Sequence, residues 1–293
     1  MTRSLLALSR DALAGFRRSR RVHRELAPYV PPVRTAIASR LAPRRRILCN
    51  EGELTTKSMA KKIFAVNRYR VVLDPQQSYD VAFGVNTRRA RNGRSINGAH
   101  RGNLKTTVQE TWETVAGYAL AVDPTVYEGP MVEKSDANAT HDGRIVIGPV
   151  QTQREGYVYQ RLLDNVVESD DGVREAVDLR TPLYGGRAPL VYVKRRPLAD
   201  RFSNTNTSVE LLEPAALFSE AELDLLARFA RAMGLDYGEV DVLRDSVDGR
   251  IFVVDSTQGP SGPPNGLPAS QAHEAVFRLA KAFDELVEAV LSE

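Results

Sequence analysis

Apolar positions along the chain change their period several times, and the changes mark out the elements. Residues 59–66 carry helical spacing, while residues 69–73 read as a strand ended by Asp74-Pro75. Residues 87–102 are polar and basic and read as a loop. Lys105 opens a helical stretch that gives way to Gly117-Tyr118. Residues 131–134 and 144–147 alternate as strands around a loop at 136–143, and further strands are predicted at 157–163, 176–183 and 190–195. Ser219 and Glu222 form a capping box before an apolar stripe of Leu223, Leu226, Phe229, Ala230 and Met233, which Gly234 ends. A hairpin follows, from 238–243 to 251–255 through Asp248-Gly249. A last helix from about Ser270 sets Val276, Leu279, Ala280, Phe283, Leu286, Val287 and Val290 on one face. Strands largely precede helices without strict alternation, which predicts an α+β chain with antiparallel sheets.

Composition narrows the classes. The 293 residues are 42% hydrophobic and 26% charged, enough for a buried core, and no apolar run reaches membrane-spanning length. One cysteine, Cys49, excludes an internal disulfide and points to a reducing, cytoplasmic setting; four scattered histidines lack metal-ligand spacing. The formal charge of +3 averages two unlike parts. Residues 1–46 hold twelve arginines against Asp11 and Glu25, a net +10, and the rest of the chain carries 28 basic and 35 acidic side chains, a net −7. The charge of the whole is therefore not a nucleic-acid signature, and no nucleic-acid partner is expected. The arginine-rich leader taken alone fits contact with an acidic partner, an anionic membrane surface or nucleic acid, and its composition also resembles an organellar transit peptide; a helical extension packed on the body is the plainer reading.

Neither a Rossmann fingerprint nor a P-loop occurs. The informative carboxylates lie in the hairpin. Glu239 and Asp241 share one strand face, and the turn decides where Asp255 points. A two-residue turn at Asp248-Gly249 sets Asp255 opposite Val242 and separates the aspartates. A three-residue loop with Gly249 in a G1 bulge sets Asp241 directly opposite Asp255. Paired carboxylates with few other donors suit Mg²⁺, which also takes phosphate oxygens; ordinary strand-end carboxylates give the same pattern. Cations lie upstream: Lys105 at a helix start, Lys134 on a strand, Arg180 in Asp178-Leu179-Arg180, and Lys194-Arg195-Arg196 at a strand end. Together they form a cationic set facing an acidic hairpin.

The order of these pieces over residues 103–267 resembles the ATP-grasp superfamily of carboxylate–amine ligases. The resemblance rests on Lys105 before Gly117 and Pro124, on Glu133-Lys134-Ser135 leading into the 136–143 loop, and on residues 158–163 as an adenine hinge. It rests also on Asp178-Leu179-Arg180, on Arg195 or Arg196, on the asparagine-bearing segment 202–206, and on Asp241 with Asp255-Ser256-Thr257. Asp255 and Thr257 stand where that family usually has Glu and Asn, and the loop holds one glycine where the family has several.

The resemblance implies two α/β subdomains clamping a nucleotide, at 104–156 and 157–293. A small N-terminal domain at 47–103 and the basic extension 1–46 would precede them. It implies ATP and Mg²⁺ as cofactors, held by Lys105, Lys134 and the hinge residues Gln160, Arg161, Leu162 and Leu163, with Asp241, Asp255 and Thr257 as metal ligands. Arg180, Arg195 and Arg196 are its implied catalytic residues. Small-molecule carboxylate and amine substrates follow, as does a homodimer, and the loop 259–266 is where acceptor contacts are expected. A kinase on the same scaffold, or a nucleotide-binding module without activity, shares the ATP half of this pattern.

Overall fold

The computed structural model describes residues 44–293 except 51–53, 56, 85–89, 91, 169–170 and 204. Most of the basic leader, residues 1–43, and Asn204 lie outside the described residues. Three sheets and four α-helices make up the described chain. Strands β1 (Arg46–Cys49), β2 (Arg70–Val72), β3 (Val81–Phe83) and β4 (Ser95–Ile96) form a parallel sheet in the order β2-β1-β3-β4, with helix α1 (Met59–Val66) crossing between the first two strands. This sheet differs from the antiparallel expectation. Its strands are two to four residues long, too short to carry a readable period.

Helix α2 (Lys105–Ala116) leads into the second sheet, in which β5 (Gly129–Ser135) lies between β6 (Arg144–Gly148) and β7 (Tyr157–Arg161), both antiparallel to it. The third sheet is also antiparallel. It comprises β8 (Val166–Glu168), β9 (Arg174–Tyr184), β10 (Val191–Pro197), β11 (Ser208–Leu212), β12 (Tyr237–Arg244) and β13 (Ile251–Thr257), in the order β11-β10-β9-β12-β13 with β8 beside β9. Helices α3 (Glu220–Met233) and α4 (Ala269–Ser292) complete the described elements. The capping box at Ser219 and Glu222 is formed, and Gly234 closes α3 at φ 63°.

Alternation in the third sheet sorts its residues onto two faces. On one face Leu179, Leu183, Val191, Val193, Val240 and Val242 pack against α2 and α3 through Trp112, Leu226 and Phe229. The other face is divided. At one end Tyr184, Tyr192 and Tyr237 pack on α4 and the parallel sheet through Phe283, Phe64 and Phe83. At the other end the same face turns polar and opens to a cleft roofed by the second sheet. The last helix therefore packs largely against residues 47–96, although it lies far from them in sequence. Arg44 and Arg45 pair with Asp284 and Glu288 of α4 at 2.8 and 2.7 Å, which fastens the end of the basic segment to the body. Among the described residues no helix is long and apolar enough to cross a membrane.

Candidate functional site

The cleft encloses a cavity of about 460 Å³. Its floor is the polar end of the third sheet, where each strand contributes side chains two residues apart: Lys194 and Arg196 from β10, Asp178 and Arg180 from β9, Glu239, Asp241 and Leu243 from β12, and Asp255 and Thr257 from β13. Lys105, Lys134, the 138–143 loop and residues 160–163 close it from above.

Hairpin register is the critical feature. The β12–β13 turn is neither of the two expected. Arg244 pairs with Ile251, and Asp245 N–H donates to the Arg250 carbonyl at 2.9 Å, leaving four residues in the loop. Continued unbroken, that register would set Asp255 opposite Val240 and turn it to the wrong face. A bulge at Val254 shifts the pairing by one residue and sets Asp241 directly opposite Asp255. The carbonyl of the bulged Val254 accepts from Lys134 Nζ at 3.0 Å, so the bulge also ties the two sheets together.

The charges on the floor are partly paired. Arg180 donates Nε and Nη2 to the two oxygens of Asp241 at 2.8 and 2.9 Å, a bidentate geometry. Burial opposes the Asp241 charge, but Arg180 and Lys194 outweigh it and hold its carboxyl far below the usual range. Burial, reinforced by Asp241, pushes the Asp255 carboxyl up against the pull of Lys134 and Lys105. Burial also lowers Lys134 to about 8. Arg196 pairs with Asp178. Lys194 is buried with no ion pair among the described residues, and its ammonium is lowered by burial. Glu239 is 2% exposed, and burial raises its carboxyl to about 7.

Above the floor, Glu133 organises the second sheet. It is buried and accepts from Tyr159 Oη, Arg144 Nε and Arg154 Nη1, each at 2.7 Å, on the face opposite Lys134. Helix α2 starts at Lys105 as expected. Lys105 N–H and Thr106 N–H both donate to Asp136, so these groups of the first helical turn are already engaged and Lys105 contributes its ammonium, which reaches the Ala137 carbonyl. The loop needs few glycines because Ala139 and His141 adopt left-handed conformations at φ 61° and 52°. Its one glycine, Gly143, lies against Phe202, where a Cβ would come within 2.9 Å of the ring.

Of the sequence-predicted residues, Lys105, Lys134, Gln160, Arg161, Leu162, Leu163, Arg180, Arg196, Asp241, Asp255 and Thr257 all line the cavity. Arg195 does not. It points to the opposite face of β10 and pairs with Glu210, because adjacent strand residues cannot share a face. Arg161 turns its guanidinium away to Asp245, 3.1 Å distant, and over the Phe252 ring. The 259–266 loop contributes Ser261 to the cavity and is pinned to the start of α1 by Met59 N–H donating to the Pro260 carbonyl at 2.9 Å. Sequence reasoning passed over Arg201, named Lys194 only within a basic run, and placed Glu239 on the face of Asp241 without giving it a role. Pairing of Lys194 with Asp178 is what turns that lysine into the cavity.

Two facing carboxylates with a nearby hydroxyl fit Mg²⁺, which takes one or two protein carboxylates and completes its shell with water and phosphate oxygens. Among the described residues no group of three or more His, Cys, Asp or Glu side chains forms a metal cage, so a closed structural metal site is absent from them.

A three-stranded and a larger antiparallel sheet closing on a charged cleft, with a parallel sheet packed beside them, is the ATP-grasp fold. Among solved structures, the ATP-grasp ligase PsnB complexed with minimal precursor aligns with a TM-score of 0.53 at 12% identity, over 83% of this chain and 98% of that one. D-alanine–D-alanine ligase from Bacillus anthracis complexed with ATP aligns at 0.51 and 13% identity, over 85% and 97%. PsnB has also been solved with its minimal precursor, Mg and ADP, aligning at 0.51 and 13% identity over 80% and 98%. No protein-family model and no curated protein matches the sequence. At these identities the likeness is one of fold.

Proposed function

We propose that this protein is an ATP-dependent ligase that activates a carboxylate as an acyl phosphate and joins it to an amine. The observation that carries the reading is the pairing of Asp241 with Asp255 across the Val254 bulge, beneath Lys134 and Lys105. Opposed carboxylates repel; Arg180 offsets Asp241, and a cation bound beside Asp255 would relieve what remains. Lys105 and Lys134 would hold phosphate oxygens, and the apolar end of the cavity, with Leu120, Leu163 and Leu243, would take the base. Mg²⁺, when bound at Asp241, Asp255 and Thr257, would neutralise the phosphates during transfer.

Little covalent work then falls to the side chains. Arg180 is fixed by Asp241 and lies beside the reacting centre, suited to offset charge on the transferring phosphoryl group. Lys194, with Arg196 beside it, faces the cavity where Arg195 does not, and would orient the donor carboxylate. A carboxylate oxygen attacks the γ-phosphorus and ADP leaves. The amine nitrogen then attacks the acyl carbon, and the bond from carbon to the phosphate oxygen breaks. Of the three ammonium protons one stays on the amide, one leaves with phosphate and one passes to solvent.

The test begins with binding. Mg²⁺ with ATP is expected to raise the melting temperature, and Asp241→Asn to remove that gain. An unchanged melting temperature in the wild type at ATP well above millimolar would sink the nucleotide reading. Product analysis then separates the classes: ADP, free phosphate and an amide mark a ligase, whereas ADP with a phosphorylated acceptor marks a kinase.

A further inference from the structure

Within this ligase reading, we infer that Glu239 is the anionic seat for the ammonium group of the acceptor, so that the enzyme captures its acceptor as a charged amine, which releases one proton to solvent before the nitrogen attacks the acyl carbon. Glu239 lines the cavity and is 2% exposed, yet neither carboxylate oxygen has a hydrogen-bond partner among the described residues. Its nearest cation is Arg180, whose Nε lies 3.7 Å away, beyond hydrogen-bond length, and that nitrogen already donates to Asp241. Leaving a carboxylate buried and incompletely paired is costly, and such a group calls for a partner that arrives from outside the chain.

Position identifies the partner. Leu243, Asp241 and Glu239 follow one another at two-residue intervals on one face of β12. Leu243 belongs to the apolar end of the cavity, and Asp241 faces Asp255 and the lysines at the phosphate end. Glu239 is the next residue out, about 7 Å beyond Asp241 along the strand. On this reading it lies at the edge of the metal site farthest from the base, level with Thr257, on the side from which the attacking group must come. Thr257, directly opposite on β13, adds no charge. The charges facing Glu239 are Arg180 from β9, Lys194 from β10 and Asp241 on its own strand. Arg180 is committed to Asp241, and Lys194 to the donor carboxylate. Glu239 is not a third ligand of a metal cage, since no three-carboxylate group of that kind exists among the described residues. A protonated amine satisfies both oxygens with N–H donors and neutralises the charge, which a hydroxyl or thiol acceptor does not.

The experiment uses the full chain with Mg²⁺ and ATP and compares two kinds of acceptor. The standard amino acids and short dicarboxylic acids serve as donors. Hydroxylamine, uncharged at neutral pH, reports acyl phosphate formation as a hydroxamate; methylamine, ethanolamine and glycinamide are presented as ammonium ions. Glu239→Gln is expected to lower the ratio of kcat/KM for amine over hydroxylamine about 10- to 100-fold, the worth of one charge-assisted hydrogen bond. An unmoved ratio, with both rates falling together or neither falling, overturns the assignment. So does a rise in the Mg²⁺ needed for half-maximal rate in place of a change in ratio, which would make Glu239 a metal ligand. A wild type that forms hydroxamate but transfers to none of these amines also overturns it, while leaving acyl phosphate formation standing. Absence of hydroxamate with every donor removes the ligase reading and this inference with it.

Discussion

Replacing Glu239 by glutamine should remove a pH-dependent loss of stability, by an amount that follows from its surroundings. Burial raises this carboxyl from an ordinary 4.5 to about 7, with Asp241 adding to the rise and Arg180 opposing it. Between those values the folded chain keeps a proton at Glu239 that the unfolded chain has released. Stability therefore falls as pH rises through the window from 4.5 to about 7, and it has fallen fully above it. A displacement of this size is worth about 3 kcal/mol. Glutamine has no such titration. Its amide carries a cost of its own in a site without partners, but that cost does not change with pH. The expected result is that the stability of Glu239→Gln relative to wild type improves by about 3 kcal/mol between pH about 4 and about 8. At this chain length that is roughly 6 °C in Tm, at about 2 °C per kcal/mol. Urea denaturation of both proteins across that range, followed by tryptophan fluorescence, reads the difference directly. A difference that stays constant with pH would refute the reasoning, because it would mean that the carboxyl is paired or hydrated in the folded chain.

Two further outcomes follow from the same site. Because burial holds Lys134 at about 8, nucleotide affinity should be flat below that pH and weaken up to about tenfold per pH unit above it, as calorimetry with Mg²⁺ and ADP would show; Lys134→Arg, charged throughout, should flatten the profile. Gly238→Ala should cost about 1–3 kcal/mol and weaken ADP binding in the same titration, since its Cβ would lie 2.5 Å from the Thr257 carbonyl oxygen and force β12 from β13 beside the aspartate pair.

The elements most legible in the sequence were those with long periods or strong punctuation. Helix α3 could be read from its capping box, apolar stripe and closing glycine, and α4 from seven apolar positions on one face. Of the parallel sheet only β2 was legible, as the strand at 69–73; β1, β3 and β4 are two to four residues long, and the α4 residues that pack on them are distant in sequence. Site residues divide in a similar way. Alternation showed that Glu239 and Asp241 share a face, but it does not fix the phase of a run such as Lys194-Arg195-Arg196. Pairing of Lys194 with Asp178 fixes that phase, and it turns Arg195 to the far side.

The hairpin makes the general point most sharply. Its turn, taken alone, gives the register that would send Asp255 away from Asp241. The correction comes from a bulge at Val254, a residue type common in any strand, whose carbonyl is held by Lys134 from another sheet. Local sequence carries no mark of such a bulge, because the contact that holds it is made only in the folded molecule. Lys134 and the register of the two aspartates are thus one structural feature. Losing the ammonium at position 134 should disturb the aspartate pair as well as the proposed phosphate contact, whereas arginine there keeps a donor for the Val254 carbonyl.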